Sequence, residues 1–297
     1  MSKFSYTVKP EDSMYALRDI LRRNFSFSSR LMNRFKKNDC IMLNGEAVRV
    51  SVIPAAGDVI TIDFPDEKSE FIPENVPIIP MYEDDDILIL NKPAGYVVHP
   101  TKGHPAHTMA NGLARYMNDT GRYFKIRFIN RLDMDTSGLL AVAKNSHCQE
   151  HIVKQMQENK VVKKYLAFVC GIVQNDEGII DAPIGRPDPE KVARGVSPAG
   201  YPSMTRYTTV ERYKKGFSLV ELSLETGRTH QIRVHLSHIG HPVVGDRLYG
   251  GENVFLIERQ ALHAFYISFF HPISGELIEV SADIPEDMLK LRNKLNV

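Results

Sequence analysis

The chain is poor in the residues that hold disulfide-bonded or zinc-bound domains together. Its three cysteines, Cys40, Cys148 and Cys170, are odd in number and widely spaced, and no C-x-x-C pair occurs. A disulfide framework and a cysteine zinc site are therefore not expected, and a reducing compartment is. Long hydrophobic runs are missing too. The longest are strand-sized pieces such as Ile87–Leu90, against the roughly 20 residues that a membrane span needs. The opening stretch MSKFSYTVKPEDS has no apolar segment of the secretory kind. Net charge is nearly absent, formally +1, so any basic binding surface must be local and offset by acid elsewhere. No phosphate-cradling glycine loop, dinucleotide fingerprint or metal-spaced cluster is found, so no cofactor is expected and no metal ligand is assigned. These absences predict a cytoplasmic protein with no membrane partner, monomeric by default. The apolar fraction of 43% is ordinary for a globular chain, and 297 residues suffice for one large domain plus a small one.

Residues 13–23, SMYALRDILRR, place Met14, Leu17, Ile20 and Leu21 at helical spacing. SSRLMNRFKKN (28–38) predicts a second helix, capped by Ser28 or Ser29, with Leu31, Met32 and Phe35 on its apolar face. CIMLNGEAVRV then reads as a strand, an Asn44-Gly45 turn and a returning strand, and AAGDVITIDFP as a turn and a further strand. From Arg18 to Lys37 the bases are Arg18, Arg22, Arg23, Arg30, Arg34, Lys36 and Lys37, opposed by Asp19 alone. On two short helices they form either a basic face suited to phosphates or an ordinary solvated surface, and charge does not choose between these. PDEKSEFIPENVPIIP (65–80), with four prolines, reads as an extended linker.

From Met81 on, strands come in blocks with a few helices. Strands are expected at 86–93, 125–133, 139–145, 161–171, 205–213, 217–225 and 276–283. Helices are expected at 107–119, at 146–159 with Ser146 and Gln149 as a capping box and Cys148, Ile152, Val153 and Met156 on one face, and at 228–239 with Ile232, Leu236 and Ile239 inward. Without regular β-α alternation the fold class is α+β.

The stretch NRLDMDTSGLL (130–140) sets an arginine and two aspartates against a turn. Three chemistries use such a pattern. A calcium loop would need a bidentate glutamate at its twelfth position, where Lys144 stands, and helical flanks that are not expected here. A phosphoryl-transfer aspartate of the D-x-D-x-T kind finds Asp133 and Asp135 correctly spaced but its threonine one place early, at Thr136, and lacks the β-α alternation. The third is an aspartate that attacks an organic substrate. It must be ionised, which a neighbouring guanidinium favours, and ETGRTHQIRVHLSHIGHPVVGD (225–246) supplies candidates.

Four ordered segments support the third. RLDMDTSGLL resembles the R-L-D-x-x-T-S-G-L signature of the RluA-type pseudouridine synthases. YEDDDILILNKPAGYVVHP (82–100) resembles their first motif, KKYLAFVCG (163–171) the segment with their active-site tyrosine, and GRTHQIRVHLSHIGHPVVGDRLYG (227–250) their C-terminal motif. The two helices and the hairpin carrying LNG, followed by AGD, resemble the S4-like RNA-binding module. The resemblance covers roughly residues 12–285. It implies an S4-like α/β domain at 12–66, a linker at 67–80, and a synthase catalytic domain at 81–297 built on a mainly antiparallel mixed sheet. One departure is Asn130, where the family usually has histidine.

The resemblance implies a reaction that breaks the N1–C1′ bond of uridine, turns the base and joins C5 to C1′, with no redox change. The partner is RNA: by its two-domain layout ribosomal RNA of the large subunit, with transfer RNA as the alternative. Asp133 is then the catalytic carboxylate, by attack on the ribose, attack on the base, or a glycal-like route. Arg233, preferred to Arg228, pairs with it. Tyr165 stacks on the flipped base or moves the C5 proton. Arg131 fills the space that the base vacates, and Arg228, Lys92, Arg30, Arg34, Lys36 and Lys37 contact RNA. Lys92, in NKPAG, also sits where a strand simply ends. Asn130, Thr136, Ser137 and His230 support the catalytic loop, Asp135 supports its turn through Asx-type hydrogen bonds, and Gly138 supplies a backbone conformation that side chains dislike. His99, His104, His107, His230, His235, His238 and His241 match no zinc spacing and read as polar loop or RNA-facing residues. The rival functions are an inactive RNA-binding assembly factor of the same fold and a magnesium-dependent phosphatase using Asp133 and Asp135.

Overall fold

The computed structural model describes residues 3–25, 27–37, 40–64, 67, 69–188, 190, 192–251 and 256–296. The amino-terminal part is a four-stranded sheet, order β1 (Lys3–Thr7), β4 (Val59–Asp63), β2 (Ile41–Leu43), β3 (Glu46–Ala47), with helices α1 (Leu17–Phe25) and α2 (Ser29–Lys37). Leu17, Ile20 and Leu21 of α1 and Leu31, Met32 and Phe35 of α2 are buried with Phe4, Ile41, Ile60 and Ile62 of the sheet. The apolar spacing of the two helices therefore serves this core. Met14 does not join it. It stands before the helix, 71% exposed. β1 precedes the start expected at residue 12 and pairs with β4 along its length. At the hairpin, Asn44 and Gly45 take positive φ angles of 52° and 87°, as a two-residue turn between twisted strands requires.

The remainder surrounds a ten-stranded sheet among the described residues. Its order is β10 (Glu177–Asp181), β13 (Met204–Tyr213), β14 (Phe217–Leu224), β9 (Val162–Cys170), β15 (Leu262–Phe270), β8 (Ser137–Ala143), β6 (Ile87–Lys92), β5 (Pro80–Glu83), with β16 (Leu277–Ser281) on β15 and β7 (Arg127–Phe128) on β8. Every pairing is antiparallel except β8 with β15. One row crosses five strands: Leu222 faces Tyr165, Tyr165 faces Ala264, Ala264 faces Gly138, and Gly138 faces Lys92. A small ribbon of β11 (Ile184–Gly185) and β12 (Gly195–Val196) stands beside it. Helices α3 (Met109–Thr120), α4 (Ser146–Gln157), α5 (Gln231–His238) and α6 (Glu286–Asn296) complete the fold.

Several expectations are corrected. The strand expected at 125–133 shrinks to two residues, because Asn130 onward forms the motif loop. α4 is capped by Asn145, whose side chain accepts from the Cys148 amide, and not by Ser146. His147 is buried on that helix, whereas Val153 is 38% exposed. β15, absent from the expected strands, is the central one, and α6 was not anticipated either.

The expected linker is also different. From residue 69 it is strapped to the large domain. Ser69 Oγ accepts from the Ile126 amide at 2.8 Å, Asn111 Nδ2 donates to Ile72 O at 2.9 Å, and Val76 is buried in the core. Gly112 makes this possible, since a Cβ there would collide with Val76.

The two parts meet at α4. His147 packs on Phe27 with ring centroids 4.3 Å apart, and His151 Nε2 donates to Phe25 O at 2.9 Å. Ile273 touches the cores of both. Burial, reinforced by His151, lowers the His147 imidazole to about 3. The unfolded chain thus takes up this proton at higher pH than the folded chain. The contribution of a neutral His147 is complete above about 6.5 and is lost as pH falls toward 3. Thermal melts between pH 7 and 4 are expected to show a smaller drop in midpoint for His147→Phe than for the unaltered protein. Equal acid slopes would exclude His147 as the sensitive group.

Candidate active site

The loop between β7 and β8 is held by its own backbone. The Thr136 amide donates to Asp133 O at 3.1 Å and closes the turn. Met134 O accepts from Lys92 Nζ at 2.8 Å and from the Gly95 amide at 3.0 Å. Asp135 O accepts from Arg259 Nη1 at 3.1 Å. Asp135 therefore supports the turn through its carbonyl, and its carboxylate makes no Asx bond among the described residues. Gly138 has φ +115°, and a Cβ there would run into the backbone of Ala264. Glycine is required for β8 to approach β15 this closely.

Upstream, the Asn130 amide spans the ladder, donating to Leu139 O at 3.0 Å and accepting from the Ala141 amide at 2.8 Å. Ser137 Oγ lies 2.9 Å from His263 Nδ1, and Thr136 Oγ1 accepts from Gln260 at 3.4 Å.

Arg233 lies in the first turn of α5. Its Nε and Nη2 donate to the two oxygens of Asp246 at 2.6 and 2.9 Å, and its Nη1 donates to Asp133 Oδ2 at 3.0 Å. Asp246 is fully buried, whereas the Asp133 side chain keeps 25% exposure. Burial works against the guanidinium charge, but the two carboxylates more than offset it and raise its pKa.

α5 starts one turn later than expected, because His230 adopts a left-handed conformation as its N-cap. This turn brings His230 Nε2 to 4.0 Å from Asp133 Oδ1 and its Nδ1 to 2.9 Å from Tyr249 Oη. The Arg194 amide donates to the same phenol oxygen at 2.8 Å. The phenol proton is then left for Nδ1, and a neutral imidazole carries its own proton on Nε2, toward Asp133. His230 is held neutral mainly by burial.

Tyr165, 6% exposed, lines the cleft with Asp133, Arg131, Arg228, His230 and Leu262. Its hydroxyl has no hydrogen-bond partner among the described residues. Burial, then the Asp133 charge, pushes the phenol pKa up, so it is protonated at neutral pH. Arg131 and Arg228 are exposed at the rim, and Arg228 lies 5.3 Å from the Tyr201 ring centre.

Lys92 is not a surface contact. It is fully buried, and its three ammonium protons go to Pro93 O, Tyr96 O and Met134 O at 2.8–2.9 Å. Burial pushes it down to about 7, against the pull of Asp135. In the amino-terminal part Arg30 is exposed, Arg34 pairs with Glu67 at 2.9 Å, and the side chains of Lys36 and Lys37 lie outside the described residues.

The histidine expectation also needs correcting. His235 is a core residue, bonded through Nδ1 to Thr205 and through Nε2 to Ala182 O. Asp84, Asp86 and His271 stand close enough to suggest a metal. They belong to two hydrogen-bonded turns that meet at the end of β6 far from Lys92, one before β6 and one after β15. Asp84 Oδ1 accepts the amides of Asp86 and Ile87, and His271 Nδ1 accepts those of Ile273 and Ser274.

Asp246, Tyr249 and Arg259 were not singled out from the sequence. The one available signal was Arg233 itself. An arginine on a largely buried helix needs a buried carboxylate, and Asp246 ends the same quoted segment.

Residues 86–238 match the family described as RNA pseudouridylate synthase. An uncharacterized RNA pseudouridine synthase of Bacillus subtilis, YlyB, is 40% identical, over 91% of this chain and 90% of that one. Ribosomal large subunit pseudouridine synthase D of Haemophilus ducreyi is 40% identical, over 86% of this chain and 82% of that one. The solved human RNA pseudouridylate synthase domain containing 1 is 32% identical, with TM-score 0.57, over 70% of this chain and 83% of that one.

Lys92→Met would leave the carbonyls of Pro93 and Tyr96 without a donor and Met134 O with the Gly95 amide alone. Each such orphan costs about 1–3 kcal/mol, so urea unfolding is expected to show a loss of roughly 2 kcal/mol or more. A loss below about 1 kcal/mol, the worth of one ordinary hydrogen bond, would mean that water replaces the ammonium.

Proposed function

The chain belongs to the RNA pseudouridylate synthase family and is an RNA pseudouridine synthase, an isomerase; within that activity we propose that it modifies uridines of large-subunit ribosomal RNA, with Asp133 acting at the reacting bond. The relative named for the large ribosomal subunit supports the choice of RNA. The observation that carries the assignment of Asp133 is its 3.0 Å bond to an arginine already clamped by a buried carboxylate.

The target uridine leaves its stack, at a cost of a few kcal/mol, and enters the cleft between Tyr165 and Asp133. The Tyr165 ring offers a stacking face. Its phenol, kept protonated, is poorly suited to remove the C5 proton, so stacking is its main role. Arg131, exposed beside the cleft, takes the place that the base vacates in the RNA. Asp133 acts on the uridine as N1–C1′ breaks, its charge balanced by Arg233 throughout. The base then turns in the cleft, C5 bonds to C1′ and gives its proton to solvent while N1 takes one up, so the product has the composition of the substrate. Asn130, Thr136, Ser137 and His230 keep the loop and Asp133 in place.

Residues 12–66 act as an S4-like module that holds the RNA through phosphate contacts, with Arg22, Arg23 and Arg30 among its exposed cations. The phosphatase alternative needs Asp133 and Asp135 in one site. Arg233 binds the first, and the second makes no contact with that set, which favours the isomerase.

Two measurements test these assignments. RNA carrying 5-³H-uridine is expected to release tritium with the unaltered protein, in the presence of a chelator, and not with Asp133→Asn. Equal release by both would remove Asp133 from the reaction. Tyr165→Phe is expected to retain more release than Tyr165→Leu, and the reverse order would count against stacking. Replacing Arg22, Arg23 and Arg30 by alanine is expected to flatten the salt dependence of RNA binding by roughly two units of log–log slope, at about 0.7 per lost single-strand phosphate contact. An unchanged slope would exclude the module as the phosphate-binding surface.

A further inference from the structure

Arg194 lies outside the four motif segments at 82–100, 130–140, 163–171 and 227–250. It immediately precedes β12, in the ribbon that packs against α5. Its backbone is joined to the site through the chain Arg194 N–H to Tyr249 Oη to His230 Nδ1. Its side chain is half-buried, and Nη1 is shielded from solvent with no hydrogen-bond partner among the described residues. Among the described residues no carboxylate is paired with it, and Asp133 and Asp246 are each bound by Arg233. The guanidinium lies near enough to His230 for its charge to disfavour the protonated ring, after burial and alongside Arg233.

A guanidinium nitrogen shielded from water without a partner is costly. Its fork of donors suits a phosphate, and the site already has an RNA substrate to supply one. We propose that Arg194 binds a backbone phosphate flanking the flipped uridine, and so fixes the nucleotide's register over Asp133. The inference rests on the site assignment above. It adds a phosphate anchor on the α5 side of the cleft, separate from the amino-terminal module. The contact forms on substrate binding, so Arg194 is a positioning residue and takes no part in bond breaking.

The test compares Arg194→Met, which keeps the length of the stem, and Arg194→Lys, which keeps a charge, with the unaltered protein. The probe is a large-subunit ribosomal RNA transcript carrying 5-³H-uridine. Loss of one charge-assisted bond is expected to raise KM about tenfold in Arg194→Met, with kcat changed less than about twofold. The salt dependence of binding to the same transcript is expected to flatten by roughly 0.7. Arg194→Lys should recover the slope and most of the KM. An unchanged slope and KM in Arg194→Met would overturn the contact, even with tritium release intact. A fall in kcat at unchanged KM would overturn it as well, by making Arg194 part of the chemistry. If the slope changes while even the unaltered protein releases no tritium, the phosphate contact stands and the assignment of the site fails.

Discussion

Arg233 is shared between two carboxylates that are treated differently. Asp246 is sealed in the interior and takes two of its donors, and Asp133 faces the cleft and takes a third. A charged group removed from water is costly unless its partners are close and well aligned. Asp246 meets that requirement, and in doing so it fixes the direction of Nη1. Asp133 can then remain open to a substrate, because its balancing charge is anchored elsewhere. An arginine held only by Asp133 would be free to follow solvent. With Asp246 in place it is as rigid as the helix that carries it.

The sheet turns that pairing into a site. Tyr165, Ala264, Gly138 and Lys92 lie in one row across adjacent strands. Gly138 lets the only parallel pair among the described strands close up at the point where the loop enters β8. Lys92, at the next position in the row, draws in the carbonyl that follows Asp133. Tyr165 stands on the other side of Ala264 and faces the cleft. A change in the packing at Ala264 would therefore disturb the loop exit and the aromatic face together.

Much of this was legible because the reacting groups lie inside short contiguous segments. Asp133 and Gly138 share one motif, Tyr165 lies in a strand with clear boundaries, and Arg233 lies on a helix whose apolar spacing marks its inward face. What was not legible depends on burial and on partners distant in sequence. A lysine at the end of a strand reads as a surface cation, and only the three carbonyls around it show that Lys92 is internal. β15 is buried on both faces for most of its length, so it lacks the alternation that marks a half-exposed strand. The sequence around His230 reads as helical because nothing local announces a left-handed residue there. The prolines of the 65–80 segment suggested a free spacer, yet Val76 and its neighbours fill a groove that Gly112 opens in α3.

That last feature bears on how such proteins can be recombined. A tether with slack can be lengthened, shortened or exchanged at any position. Here Glu67 already pairs with Arg127 of the larger body, and everything described from Ser69 onward is part of that body. A chimera joined at the apparent boundary near residue 80 would import a foreign strap into a groove shaped for this one, and would leave the host's α3 uncovered.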